Sequence, residues 1–87
     1  MLFVRYYFLK VYPNPFKDET AVEINSELLK LNPEFIISDV IGNKIASISL
    51  TQLRTVINRQ ELPAGVYFYQ LRRTGNAIAI GKMIIIN

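Results

Sequence analysis

A pair of carboxylates acting as general acid and base is a kind of catalysis that the residue types of this chain leave possible. The sequence contains no His and no Cys, so the usual zinc sites, Cys nucleophiles and Ser-His-Asp triads cannot be assembled. Seven acidic residues remain, scattered singly apart from one adjacent pair: Asp18, Glu19, Glu23, Glu27, Glu34, Asp39 and Glu61. A lone carboxylate is typical of a solvated charge or a turn cap. We therefore expect no enzyme, no metal site and no cofactor.

Composition narrows the class of protein further. The chain has 87 residues, of which 51% are hydrophobic, and this combination predicts one folded domain rather than disorder. Its net charge of +3 comes from bases spread along the chain, with only Arg72 and Arg73 adjacent. Without a basic cluster, no nucleic-acid partner is expected. No run reaches the roughly 18–20 apolar residues that span a bilayer, so no membrane insertion is expected either.

The first nine residues are apolar and aromatic, like the core of a signal peptide. Arg5 interrupts the run, however, and no small-x-small cleavage site follows. We interpret residues 1–9 as a residual linker or an extra N-terminal strand, and residues 10–87 as the domain.

The elements that must position any functional residue are short strands. Apolar residues mostly alternate with polar ones, and turn signals recur about every ten residues, which is typical of a sandwich or barrel. The predicted fold is an all-β, immunoglobulin-like antiparallel β-sandwich of about seven strands. The predicted strands are residues 6–12, 20–25, 35–40, 45–50, 55–58, 66–71 and 77–86. Residues 26–32 could form one helical turn, but Pro33 follows at once, so we favour a loop that buries Leu28, Leu29 and Leu31.

Several turn residues have predicted structural roles. Gly42 and Asn43 are expected to supply the positive φ angles of a hairpin, and Asp39 to accept hydrogen bonds from the amides of that turn. Tyr67 suits a tyrosine corner, in which the hydroxyl bonds to upstream backbone. Gly81, inside the last apolar run, predicts a bulge or kink.

Four segments resemble, in order and spacing, the C-terminal sorting domain family of the type IX (Por) secretion system, of type A. They are residues 11–16 (VYPNPF), 39–45 (DVIGNKI), 62–67 (LPAGVY) and 81–85 (GKMII). Each segment alone occurs in many β domains, whereas all four together are specific. The resemblance covers residues 10 to 87.

The resemblance implies a domain that serves as an address and has no catalysis of its own. Such domains look like seven-stranded sandwiches at the C-terminus of secreted enzymes and adhesins of certain Gram-negative bacteria. The implied partners are the type IX translocon, an outer-membrane shuttle, sortase components and a passenger fused N-terminally. A sortase-like cysteine peptidase usually cleaves upstream of the domain and joins the cargo to lipopolysaccharide. The implied location is the periplasm in transit, then the cell surface or the medium. The passenger is absent from this sequence, which suggests an excised domain or a truncated reading frame.

The candidate receptor-binding residues lie in the final strand: Gly81, Lys82, Met83, Ile84 and Ile85. Lys82 is hard to explain by packing, and it could either lie along the sheet with its ammonium in solvent or meet an acidic receptor surface. We also consider that the strand adds to the edge of a partner sheet. The other residues that match the family pattern have structural explanations: Pro13, Asn14, Pro15, Asp39, Gly42, Leu62, Gly65 and Tyr67.

Two competing classes remain. An accessory immunoglobulin-like module for carbohydrate or protein binding would carry exposed aromatic residues in a flat patch near Asn and Gln. An enzyme fragment would have a pocket with converging carboxylates.

Overall fold

The computed structural model describes residues 7–87, and these form seven strands and one helical turn. The elements are β1 (Leu9–Tyr12), β2 (Glu19–Ile24), α1 (Ser26–Leu29), β3 (Glu34–Ser38), β4 (Lys44–Ser49), β5 (Arg54–Asn58), β6 (Gly65–Arg73) and β7 (Asn76–Ile85). All seven predicted strands are present, within a few residues of the predicted bounds. The part of the first prediction that falls on residues 1–6 lies outside the described residues.

The strands form two antiparallel sheets, which confirms the predicted all-β sandwich. A three-stranded sheet has the order β1-β2-β5, and a four-stranded sheet has the order β4-β3-β6-β7. The inner faces meet in one apolar core built from alternate residues of each strand, because successive side chains of a strand point to opposite faces. The most deeply buried members include Val22, Phe35, Leu71 and Met83.

The segment after β2 differs from the predicted loop, since it contains the helical turn α1. Asn25 caps α1: its side-chain oxygen accepts a hydrogen bond from the Leu28 amide, 3.2 Å away. Leu28 is buried, and Leu29 and Leu31 pack against the core, as expected. A single turn is marginal in isolation, so the burial of these leucines is what stabilises it.

The β3–β4 turn is organised by Asp39. The Asp39 Oδ1 atom accepts hydrogen bonds from the amides of Ile41 (3.1 Å) and Asn43 (2.8 Å), as predicted. Desolvation opposes ionisation, but hydrogen bonds from Asn43 and Ile41 outweigh it and lower the pKa of the Asp39 carboxyl. Gly42 has a φ of +91°, whereas Asn43 does not take the predicted positive φ. Gly42 alone supplies the positive φ angle of this turn, and the hydrogen bonds to the Asp39 side chain hold the residues on either side of it.

The Gly81 prediction was wrong in its geometry. β7 runs continuously past Gly81, which pairs with Tyr69, and the irregularity of the β6–β7 pair lies between Leu71 and Arg72. A Cβ atom at Gly81 would lie 2.2 Å from the Tyr69 ring. The ring of Tyr69 stacks on Phe35 with centroids 5.1 Å apart, and its burial raises the pKa of its hydroxyl. Glycine at this position therefore makes room for the Tyr69 ring, which any larger residue would displace.

Within residues 7–87, no helix has the length and apolar character needed to cross a membrane.

Candidate functional site

The final strand divides the candidate receptor-binding residues between the two faces of its sheet. Met83 and Ile85 point inward and are 0% and 1% exposed, so in this conformation they are core residues. Lys82 is exposed and Ile84 half-buried, and both lie on the outer face. Gly81 has no side chain to offer and accommodates Tyr69. Of the five candidates, Lys82 and Ile84 are thus the ones placed to touch a partner without unfolding.

The C-terminal part of the free edge of β7, from Lys82 onward, is already covered by the segment around Asn14. The Asn14 side-chain amide donates to the Lys82 carbonyl (2.7 Å), and its oxygen accepts from the Ile84 amide (2.9 Å). The Phe16 backbone then bonds to the Ile84 carbonyl (3.0 Å) and the Ile86 amide (2.8 Å). Addition of a partner strand along residues 82–86 would have to displace these four hydrogen bonds.

Asn14 thus has a structural role that its two flanking prolines make possible. Pro13 and Pro15 carry no backbone N–H, so the backbone there cannot form a regular ladder. The Asn14 amide group, with one donor and one acceptor on the same side chain, replaces a peptide unit against the β7 edge.

Arg59 anchors residues 86 and 87, a role that its sequence context does not predict. Its guanidinium donates to the carbonyls of Leu62 (2.8 Å) and Ile86 (3.1 Å) and to the side-chain oxygen of Asn87 (3.0 Å). It also reaches the Lys17 carbonyl at 3.3 Å. Nothing in the local sequence signals this role, because the partners come from three separate segments of the chain.

The outer face of the four-stranded sheet carries a continuous set of exposed apolar side chains around Lys82. Cross-strand pairing sets Phe68 opposite Lys82, Val66 opposite Ile84, and Gln70 opposite Ile80. Val66, Phe68 and Ile80 are 39%, 41% and 68% exposed. We call this surface the Lys82 face and define it as Val66, Phe68, Ile80, Lys82 and Ile84.

The charges on the Lys82 face are not balanced locally. The Lys82 ammonium has no hydrogen-bond or ion-pair partner among residues 7–87. The row of residues that crosses the sheet at Phe68 is Lys44, Ser38, Phe68 and Lys82, so it carries a cation at each end and no acid. This part of the surface is therefore apolar and positively charged.

The outer face of the three-stranded sheet is different, because its charged groups contact one another. The Lys10 ammonium lies 4.1 Å from the centroid of the Tyr12 ring. The Tyr12 hydroxyl donates to Glu23, and Arg54 Nε lies 3.6 Å from the same carboxylate. The hydrogen bond to Glu23 is the largest cause of the raised pKa of Tyr12. We call this surface the Glu23 face and define it as Lys10, Tyr12, Glu23 and Arg54.

The remaining family-pattern residues stabilise turns. The Tyr67 hydroxyl donates to the Pro63 carbonyl over 2.6 Å, which confirms the predicted tyrosine corner. Leu62 packs against the core, and Gly65 begins β6. These three residues lie at the connection that leads from β5 into β6. Asp39 and Gly42 belong to the β3–β4 turn.

The described residues contain no cluster suited to catalysis. A groove of about 360 Å³ opens between β4 and β5, but its lining is mainly apolar, with Ile37, Ile45 and Ile57 prominent and no acidic residue. No three acidic side chains within residues 7–87 come together as metal ligands would. The groove thus lacks the converging carboxylates that an enzyme fragment would have.

The exposed apolar residues of β6 could have been found from the sequence. Residues 66–69 are Val-Tyr-Phe-Tyr, so both faces of the strand are apolar. An antiparallel strand with one face in water normally alternates. Val66 and Phe68 stand at positions where an alternating strand would have polar residues, and this departure from alternation indicates an apolar outer face.

Fold and site together define a small, two-sheet β-sandwich with an exposed apolar surface around Lys82 and no catalytic cluster among its described residues. The sequence matches the secretion system C-terminal sorting domain family over residues 10–87, nearly the whole chain. The chain belongs to this family, which confirms the resemblance drawn from its four segments. No curated protein sequence matched the chain.

Membership of the family supports a role as a C-terminal signal for type IX secretion. It implies a cargo that is secreted or displayed at the cell surface, and involvement with the type IX machinery. Domains of this family are generally non-catalytic, in agreement with the absence of His and Cys.

Proposed function

We propose that this domain directs a cargo protein, fused to its N-terminal side, through the periplasm and across the outer membrane by the type IX system. We further propose that a sortase-like peptidase then removes it from the cargo. The single observation that carries the proposal is the family match over residues 10–87, which includes β2 to β7 in full and all of β1 except Leu9.

The part of the domain that the machinery recognises is, in this proposal, the exposed side of the final strand. Lys82 and Ile84 are accessible on the outer face, whereas the edge of the strand is bonded to Asn14 and Phe16. Docking through the face keeps all of these hydrogen bonds, so it is favoured over addition of a partner strand.

Export of a reporter tests the proposal. Residues 1–87 are fused behind a signal peptide and a stable reporter in a host with a type IX system, and the reporter is measured in the periplasm, at the cell surface and in the medium. We expect export that depends on the domain and on the type IX genes. Reporter that stays in the periplasm, or that leaves equally well in a type IX deletion strain, would contradict the proposal.

The size of the exported reporter tests the cleavage step separately. We expect the surface form to lack residues 10–87, as mass spectrometry of its C-terminal peptides would detect. An exported reporter that still carries these residues would leave the sorting role standing and remove the peptidase from the proposal.

A further inference from the structure

The Lys82 face has the composition of a docking surface rather than of an ordinary solvated face. Exposed apolar residues are common as single side chains on any protein, but contiguous sets of them mark sites of interaction. Here Val66, Phe68, Ile80 and Ile84 surround one lysine on two paired strands.

The charges on and beside the Lys82 face indicate the chemistry of a partner that would cover it. Lys82 has no counter-charge among residues 7–87, and Lys44 lies at the far end of the same cross-strand row. When apolar neighbours are covered by a partner, an ammonium at their centre loses water and needs a carboxylate in exchange. A partner with an apolar surface and a carboxylate opposite Lys82 would satisfy both requirements.

We propose that the Lys82 face docks on a protein surface of the secretion machinery that is apolar and carries an Asp or Glu side chain positioned to pair with Lys82. This inference rests on the proposed function, since it names the chemistry of the receptor that the sorting role requires. Phe68 is the apolar anchor, because it lies directly opposite Lys82 and aromatic side chains dominate such interfaces.

The strand edge is not the docking element in this arrangement. Asn14 and Phe16 occupy the edge groups of Lys82, Ile84 and Ile86, which protects the strand from pairing with a partner sheet. The receptor therefore recognises side chains on a preformed face, and binding requires no local unfolding.

Photo-cross-linking in living cells tests the location of the contact. A benzoylphenylalanine in place of Phe68 is compared with one in place of Val56, which is 43% exposed on the other sheet. Both are introduced into the reporter fusion in a type IX host. We expect an adduct with a periplasmic or outer-membrane component from position 68, mapping to a peptide that has an acidic residue beside apolar ones, and none from position 56.

Charge exchange tests the chemistry of the contact. Lys82→Glu is expected to lower the yield of the adduct and of exported reporter at least about tenfold, as for a hot-spot residue. Lys17→Glu makes the same change in net charge at an exposed position off the Lys82 face and is expected to leave both unchanged. Replacing the cross-linked partner's acidic residue with Lys is expected to restore export of the Lys82→Glu variant. Equal urea unfolding midpoints for the two lysine variants and the original chain show that both fold.

Four results would overturn the inference while leaving the sorting role intact. They are normal export of Lys82→Glu, equal adducts from positions 56 and 68, an adduct between two copies of this chain, and a partner site without an acidic residue. Failure of the unsubstituted fusion to be exported would instead overturn the proposed function, and this inference with it.

Discussion

Both sheets are antiparallel, but the side chains on their outer faces differ. Those of one face are charged and contact one another, whereas those of the other are mostly apolar. On the Glu23 face, Lys10, Tyr12, Glu23 and Arg54 contact one another, so each charge has a neighbour within the domain. On the Lys82 face, apolar side chains surround an ammonium that has no partner among residues 7–87. The charges of the Glu23 face are paired within the domain, whereas Lys82 is not. In the proposed arrangement, a carboxylate of the receptor supplies the missing partner.

The difference also separates folding from recognition within one strand. Along β7, Met83 and Ile85 fill the core while Lys82 and Ile84 face outward. Shortening the strand from its end would remove both kinds of residue and could not tell the two roles apart. Single substitutions at inward or outward positions can separate the two roles, because each changes only one face of the strand.

The largest effect is expected at the inward side of β7. Met83→Ala removes a fully buried side chain and should lower the free energy of unfolding by about 2–5 kcal/mol. Ile84→Ala, one residue away on the outer face, is the matched control and should cost much less. Urea unfolding followed by circular dichroism measures both. Equal losses would contradict the assignment of the two faces.

Gly81→Ala should come next, because its Cβ would overlap the Tyr69 ring. Overpacking of this kind costs about 1–3 kcal/mol of unfolding free energy. In a Tyr69→Ala background the same substitution should cost close to nothing, since the ring is gone. A double-mutant cycle by urea unfolding measures the difference. A cost that persists without Tyr69 would place the strain in the backbone instead.

Asn14→Ala should destabilise the domain by about 1–2 kcal/mol, because two hydrogen bonds to β7 are lost. It also leaves the Lys82 carbonyl and the Ile84 amide free on an open edge, so self-association should increase. Size-exclusion chromatography with light scattering measures the association, with the exposed β5 residue Asn58→Ala as control. A variant that stays monomeric and stable would indicate that Asn14 does not cover the edge.

Glu23→Gln should have the smallest effect on stability, within about 1 kcal/mol, because the ion pair to Arg54 is at the surface. Its clear signature is the pKa of Tyr12, which Glu23 raises above the ordinary value of 10.0 and which should therefore fall. The stabilisation linked to this raised pKa is present below pH 10 and is lost as the pH rises through the pKa of the folded state. A pH titration of the Tyr12 ring resonance by NMR measures the change, and an unchanged pKa would contradict the contact.

The strands and turns were predictable because they depend on local patterns. The alternation of apolar residues predicted the seven strands, and Asp39 and Gly42 predicted the β3–β4 turn. The position of Tyr67 predicted the tyrosine corner. Gly81 was misread as a bulge, since a glycine that makes room for a ring across the sheet looks the same in sequence as one that bends a strand.

The contacts that decide the site were not predictable, because they join distant residues. Asn14 meets Ile84 across 70 positions, and Arg59 meets Ile86 across 27. Sequence alone placed Lys82 in a candidate site but could not tell that the adjacent edge is covered, or that Phe68 lies opposite it. Register and sheet order supply that information.

One comparison of two valines tests most directly whether the Lys82 face is recognised. Val66 and Val56 are 39% and 43% exposed on the outer faces of different sheets. Each is changed to Ser in the reporter fusion, and export is measured beside the urea midpoint of the purified chain. Val66→Ser should reduce export at least about fivefold while Val56→Ser has little effect, at similar stabilities. Equal export of the two variants would contradict recognition through the Lys82 face.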